Sequence, residues 1–322
     1  MLDYASRPAT TISDQAQCIV TDARRWLQLG LASLWVFAGF LQMQPMMFTS
    51  AFAKNVLEPA AEGNPSWIAV TVLWAAHVVS SAPLVWNSLF ALIQLALGVG
   101  IAYRPWLRFA LACSIAWAFM VWWFGEGLGG LLTGTASALT GAPGGVILYA
   151  LLAVLLWPEP RPVSVRYVAQ YPVGVIGSRI IWCVLWAGLA ALNMQPANLR
   201  PNSVHDAVAG MGDGQPAGVM LTVNDFAAFS EKNGEWLTLA GTLVLVAIAV
   251  GVFLPNTALR IAVILALLTS AFIWLFGEAL GALFGGQATD PNSAPLLALI
   301  ALAFWPVKSV ASRERTDTAW TA

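Results

Sequence analysis

Eight stretches dominate what this chain can become: residues 26–43, 84–103, 107–124, 143–157, 180–194, 236–254, 259–276 and 293–305 are long apolar runs whose only charged side chains are Arg108 and Arg260. A helix of about 20 residues crosses a hydrocarbon core of about 30 Å. Backbone in that core must satisfy its own hydrogen bonds, which for a single segment means helix. The eight runs therefore read as transmembrane helices, with the fourth and eighth so short that they extend into their preceding loops, tilt little, or sit where neighbouring protein covers them. Composition agrees, because 10% charged residues is far below the quarter usual in soluble domains.

The runs fall into two sets of four. Trp122-Trp123-Phe124-Gly125-Glu126-Gly127-Leu128-Gly129-Gly130-Leu131 reappears as Trp274-Leu275-Phe276-Gly277-Glu278-Ala279-Leu280-Gly281-Ala282-Leu283, and Trp35 through Pro45 reappears as Trp186 through Pro196. The offset stays near 151 or 152. The expected fold is all-α, a membrane protein of eight transmembrane helices in two tandem, same-orientation four-helix repeats, since an even number of crossings returns the second copy to the first side. The divisions are a tail at 1–25, a first repeat at 26–158, a proline-rich linker at 159–178, a second repeat at 179–306 and a tail at 307–322.

Counting Lys and Arg between runs gives twelve on the side that holds both termini, against Lys54, Arg200 and Lys232 on the other. Both termini are thus expected in the cytoplasm of a multi-pass cell-membrane protein, with the repeated motif facing outward. The polar N-terminus lacks a signal-peptide core, so the first run is expected to remain as an anchor. A loop of about forty residues follows each Met-Gln-Pro. In these loops Trp67 to Val78, apolar but short, and Val219 to Trp236, with interspersed charges, read as interfacial or re-entrant helices.

A carboxylate near a membrane is a candidate for function by default. Glu126 and Glu278 are the candidate proton-accepting residues, each four positions after a tryptophan, Trp122 or Trp274, that would wall the same helix face. The competing reading has each glutamate accept backbone amides and tie down the following loop. Gln44 and Gln195, repeated at helix ends, are candidates to cap carbonyls or to bind a polar headgroup. Asp290-Pro291-Asn292 reads as a helix cap. Met43, Met46, Met47 and Met194 read as packing at the membrane edge. Three separated cysteines offer no disulfide framework or metal pair. The two histidines, His77 and His205, lie outside the runs, which argues against intramembrane haem. No basic patch supports nucleic-acid binding.

Trp35, Gly39, Phe52, the Asn64-Pro65-Ser66-Trp67 segment and Gln94-Leu95-Ala96-Leu97-Gly98 make the unit resemble the DoxX/DoxD-like membrane proteins, four-helix units of which some form the membrane part of thiosulfate:quinone oxidoreductases. The resemblance implies quinone as the redox partner, no intrinsic cofactor, and a partner subunit or homo-oligomer within the lipid bilayer. Members commonly carry Glu where Gln94 stands, and the second half has Val246 there. Three function classes follow as expectations: a quinone-linked redox subunit, a transporter or permeation pathway for a small solute or protons, and a structural subunit of a membrane complex.

Overall fold

The computed structural model describes residues 12–159 and 165–307; the remainder of both expected tails and the 160–164 part of the linker lie outside it. The regular structure among the described residues is all helical, without strands. Ten helices have eleven residues or more: α1 (Ile12–Leu41), α2 (Ser66–Ser81), α3 (Pro83–Ala102), α4 (Leu107–Phe124), α5 (Gly145–Leu155), α6 (Gln170–Asn193), α7 (Ala217–Ser230), α8 (Gly234–Gly251), α9 (Asn256–Phe272) and α10 (Ser293–Ala303). Every apolar run of the sequence is occupied by one of them. Five segments, at 83–102, 104–124, 170–193, 234–251 and 256–277, are long and apolar enough to cross a membrane. Their outward faces carry exposed side chains such as Leu92, Phe109, Leu243 and Leu268, which only lipid accommodates over so wide an area. The chain is an integral membrane protein.

The helices pack in a crossed arrangement. α1 lies along α3, α3 touches α4, and α4 packs on α5; in the other half α6 lies along α8, α8 touches α9, and α9 packs on α10. The short helices α5 and α10 contact each other, and each also contacts the first helix of the opposite half, α5 with α6 and α10 with α1. They are accordingly the most enclosed elements, with Leu148, Tyr149, Leu152, Leu296, Leu297 and Ile300 at 0–1% exposure. Their eleven residues need protein rather than lipid around their ends, which is what the crossing supplies.

The described parts of the linker and of the N-terminal tail belong to the helical fold. α1 begins well ahead of Trp26, and Arg25 donates to the carbonyls of Ile101 and Ala102 at the end of α3, where the helix leaves acceptors unused. Arg166 does the same for Val252 and Leu254 at the end of α8. Tyr167, Val168 and Ala169 are buried, and Ala169 N donates to Ala303 O, so the linker's last residues are core. α6 then starts at Gln170, ahead of the expected boundary at 179, with a left-handed break at Gly174.

At the opposite end the loops gather. Gln44 Nε2 donates to Ala288 O, Asn193 Oδ1 accepts from Ala138 N, and Asn198 Nδ2 donates to Ala136 O. Each half thereby holds the long loop of the other. The two segments expected to be interfacial or re-entrant are helical, as α2 and α7. α2 lies over the end of α4 through Trp67 against Trp123 (5.8 Å) and Trp74 against Phe124 (6.1 Å). α7 covers the end of α9 through Phe226 against Phe272 and Phe276.

Candidate functional site

The motif ends its helix in the same way in both copies. The last turn widens, with Glu126 N bonded to Val121 O and Glu278 N to Ile273 O, five residues back. Four consecutive residues then turn left-handed: Gly127, Leu128, Gly129 and Gly130 at φ +53, +59, +61 and +68, and Ala279, Leu280, Gly281 and Ala282 at φ +44, +59, +73 and +52. Glycine adopts this conformation at little cost, whereas each L side chain there costs about 1–2 kcal/mol. The reversal returns the chain beneath the indole of the same motif: Trp122 Nε1 donates to Pro143 O and Trp274 Nε1 to Pro291 O.

The carboxylates land on the first amides of the central helices. Glu126 Oε1 accepts from Val146 N at 3.0 Å. Glu278 Oε1 accepts from Ser293 N and from the Ser293 hydroxyl, and its Oε2 from Ala294 N. A helix start has unpaired N–H groups and a positive dipole end, so an anion there is stabilised. Asn292 caps α10 through Oδ1 to Ser293 N, and Asp290 Oδ1 accepts from Asn292 N, as the sequence pattern Asp-Pro-Asn indicates.

The two glutamates differ in their surroundings. Glu278 is 1% exposed with both oxygens bonded. Glu126 Oε1 holds the Val146 amide and the Gly145 amide also stabilises the carboxylate; its Oε2 is shut off from solvent without a well-formed hydrogen bond, and the residue lines a cavity of about 1230 Å³. Burial, then the nearby charge of Asp290, pushes the Glu126 carboxyl up to about 8. Burial pushes Glu278 up to about 7, the bonds from Ser293 and Ala294 partly offsetting it.

The cavity lies mainly within the first half. Trp86, Phe90 and Trp117 form an aromatic wall on α3 and α4, with Phe90 and Trp117 5.7 Å apart. Gln42 and Gln94, at 4% and 6% exposure, also line it. Their Oε1 atoms and Trp117 Nε1, like Glu126 Oε2, have no hydrogen-bond partner. Buried polar atoms are nearly always paired, so four orphans on residues that line one cavity mark a place where a polar ligand group would find partners.

The second half has a smaller cavity of about 380 Å³, lined in part by Asn193, Leu245 and Thr269. Burial aligns α8 with α3 at an offset of 151, setting Asn87 against Thr238, Gln94 against Leu245 and Ile101 against Val252, all buried. The counterpart of Gln94 is thus Leu245, while Val246 faces outward at 44% exposure. Helical burial, which a one-residue shift rotates by about 100°, decides the register. Where the first cavity has Gln42, Gln94 and Trp117, the second has an asparagine already bonded to Ala138, a leucine and a threonine. Glu278 does not reach it.

The other candidates from the sequence lie elsewhere. Trp122 and Trp274 brace the return of the chain and stand outside both cavities. Gln44 ties the halves together, and Gln195 has an unpaired buried oxygen away from either cavity. His77 is exposed on α2, and His205 pairs with Asp206. Among the described residues no group of His, Cys, Asp or Glu is placed to hold a metal ion. Gln42 and Trp117 had no distinguishing sequence signal; Gln94 had one, in its lone polarity at the centre of an apolar run. Comparisons with protein-family models, with curated proteins and with solved structures returned no match.

Proposed function

We propose that this protein is a DoxX/DoxD-like membrane subunit that binds a quinone or quinol in the cavity of its first half and serves quinone-linked redox chemistry with a partner subunit. The observation that carries this reading is the set of four unpartnered polar atoms beside the Trp86–Phe90–Trp117 wall. An aromatic ring bearing oxygens at its edge and an apolar tail matches both parts: the wall offers stacking area, and the orphaned groups offer hydrogen bonds that are costly to leave unmade. Trp117 donates to a ring carbonyl, and the Gln42 and Gln94 amides accept from a ring hydroxyl. Glu126 takes up the hydroxyl proton, its raised proton affinity keeping exchange within the neutral range. Electrons are exchanged between the ring and a redox centre carried by the partner.

The proposal includes eight crossings in two units of the same orientation. It is supported by the helix in every apolar run and by the enclosure of α5 and α10.

Trp86 and Trp117 give the binding a direct readout. Titrating the purified protein with decylubiquinol should quench tryptophan fluorescence saturably, and organic extraction should recover quinone in stoichiometric amount. Gln94→Leu, which installs the residue of the second half, should weaken binding about tenfold or more, as expected for losing a buried hydrogen bond of about 1.4 kcal/mol or more. Absence of both quenching and recovered quinone would overturn the reading.

A further inference from the structure

The second half enters the first half's cavity at two segments, its long loop between Ala197 and Met211 and the stretch just ahead of α10. Gln287, Thr289, Asp290 and Asn292, just ahead of α10, line it together with Glu126. The start of α5 lies between two carboxylates drawn from different halves. A Cβ on Gly144 would collide with Glu126 Oε2, and one on Gly145 would stand 3.2 Å from Asp290 Oδ1. Two consecutive glycines are what allow both acids to close on one helix end.

The charges around them are few. Glu278 lies beyond Asp290, and Tyr149 one turn along α5 is buried. Arg200 and Asp206 line the cavity; Arg200 is exposed with Nε on Ala197 O, and Asp206 pairs with His205. Lys54, Glu58 and Glu62, on the segment above, are exposed. Among the described residues no cation forms an ion pair with either carboxylate. One helix end supports about half a unit of negative charge. Two enclosed carboxylates there do not both ionise readily. The buried, unpartnered amide oxygens of Gln42 and Gln94 point independently to a ligand in the same space.

We propose that Glu126 and Asp290 share one proton across the seam between the halves and together form the proton-exchanging end of the cavity, with Asp290 as the second acceptor for the ligand bound there. The inference rests on the reading of the cavity as a quinol site. When a ligand O–H breaks, its proton adds to the ionised member of the pair, the ligand oxygen keeps the bonding electrons as an oxyanion, and the pair becomes neutral. Burial holds both carboxyls above the usual range, and the charge of Asp290 adds to it at Glu126, in agreement with this storage. The two halves then have unequal parts, one supplying the cavity and the other completing its acid.

Infrared titration of the full-length protein in detergent, without ligand, tests the pair. Asp290→Asn should lower the pH at which the Glu126 carboxyl deprotonates by about one unit, a tenfold loss of proton affinity. Glu126→Gln should lower that of Asp290 in the same direction, so that a folding defect in either variant leaves the other to decide. Titrations that do not respond to removal of the partner overturn the shared proton. In parallel, decylubiquinol binding followed against pH should shift its profile in Asp290→Asn. Coupled titration without any quinol binding retains the pair and overturns the quinol reading; binding with uncoupled titration does the reverse.

Discussion

Glu126 and Glu278 hold the same place in the repeated motif and differ by what their second oxygen meets. Glu278 Oε2 accepts from Ala294 N, whereas Glu126 Oε2 is unpaired beside a cavity. Glu278→Gln would turn an amide NH₂ against a backbone donor and should cost about 1–3 kcal/mol of stability. Glu126→Gln keeps an oxygen for Val146 N and should stay within about 0.5 kcal/mol near pH 5. Thermal unfolding in detergent checks both, and equal losses would contradict the asymmetry. The pH dependence follows from the raised carboxyls. A group whose folded pKa of about 8 lies above its ordinary 4.5 takes up protons on folding. Its contribution is complete below about 4.5 and is lost as pH rises through about 8. The melting temperature of the natural protein should therefore fall across that window, and Glu126→Gln should flatten its upper part.

At the scale of elements, the sequence displays helices well and their junctions poorly. Apolar runs register in composition, so α3, α4, α8 and α9 are legible residue by residue, and even the shortness of α5 and α10 is visible. What fixes those short helices is not: Glu126 caps an amide twenty positions ahead, and Glu278 one fifteen positions ahead. The turn after each motif is half legible. Gly-Leu-Gly-Gly announces positive φ, but Ala279-Leu280-Gly281-Ala282 makes the same turn with three side chains in it, because the contacts of Glu278 and Trp274 determine the path. Asp290 was readable as a cap, yet its position against Gly145 depends on the crossing of the halves. A paired substitution separates local strain from packing. Gly134 has φ +80 and nothing within 4 Å of an added Cβ, so Gly134→Ala should cost only about 1 kcal/mol. At Gly129, φ +61, the methyl would collide with Pro143 O and the start of α5, so Gly129→Ala should lose folded yield in detergent-solubilised chromatography. Comparable yields for the two would show that the turn does not set the position of α5.

For the whole molecule, the direction of the two halves carries the argument from sequence to mechanism. The loops at 42–65, 126–144, 194–233 and 278–292 share one end through the bonds of Gln44, Asn193 and Asn198, while Arg25 and Arg166 close helices at the other. Such an arrangement lets the second half lend Asp290 to the first half's cavity at the same depth as Glu126. Antiparallel halves would send the two carboxylates to opposite faces. The charge count predicts that the Gln44 end lies outside the cytoplasm. Glu62 and Lys232, both exposed at that end, and Arg104 and Thr257, exposed at the opposite end, give four sites for single cysteines in a background lacking the three natural ones. With a membrane-impermeant thiol reagent on intact cells, Glu62→Cys and Lys232→Cys should label. Arg104→Cys and Thr257→Cys should label only after permeabilisation. Labelling of the second pair alone would reverse the orientation and put the proton-exchanging end toward the cytoplasm. Labelling of Glu62→Cys without Lys232→Cys would mean that the halves run in opposite directions, and the carboxyl pair across the seam could not form.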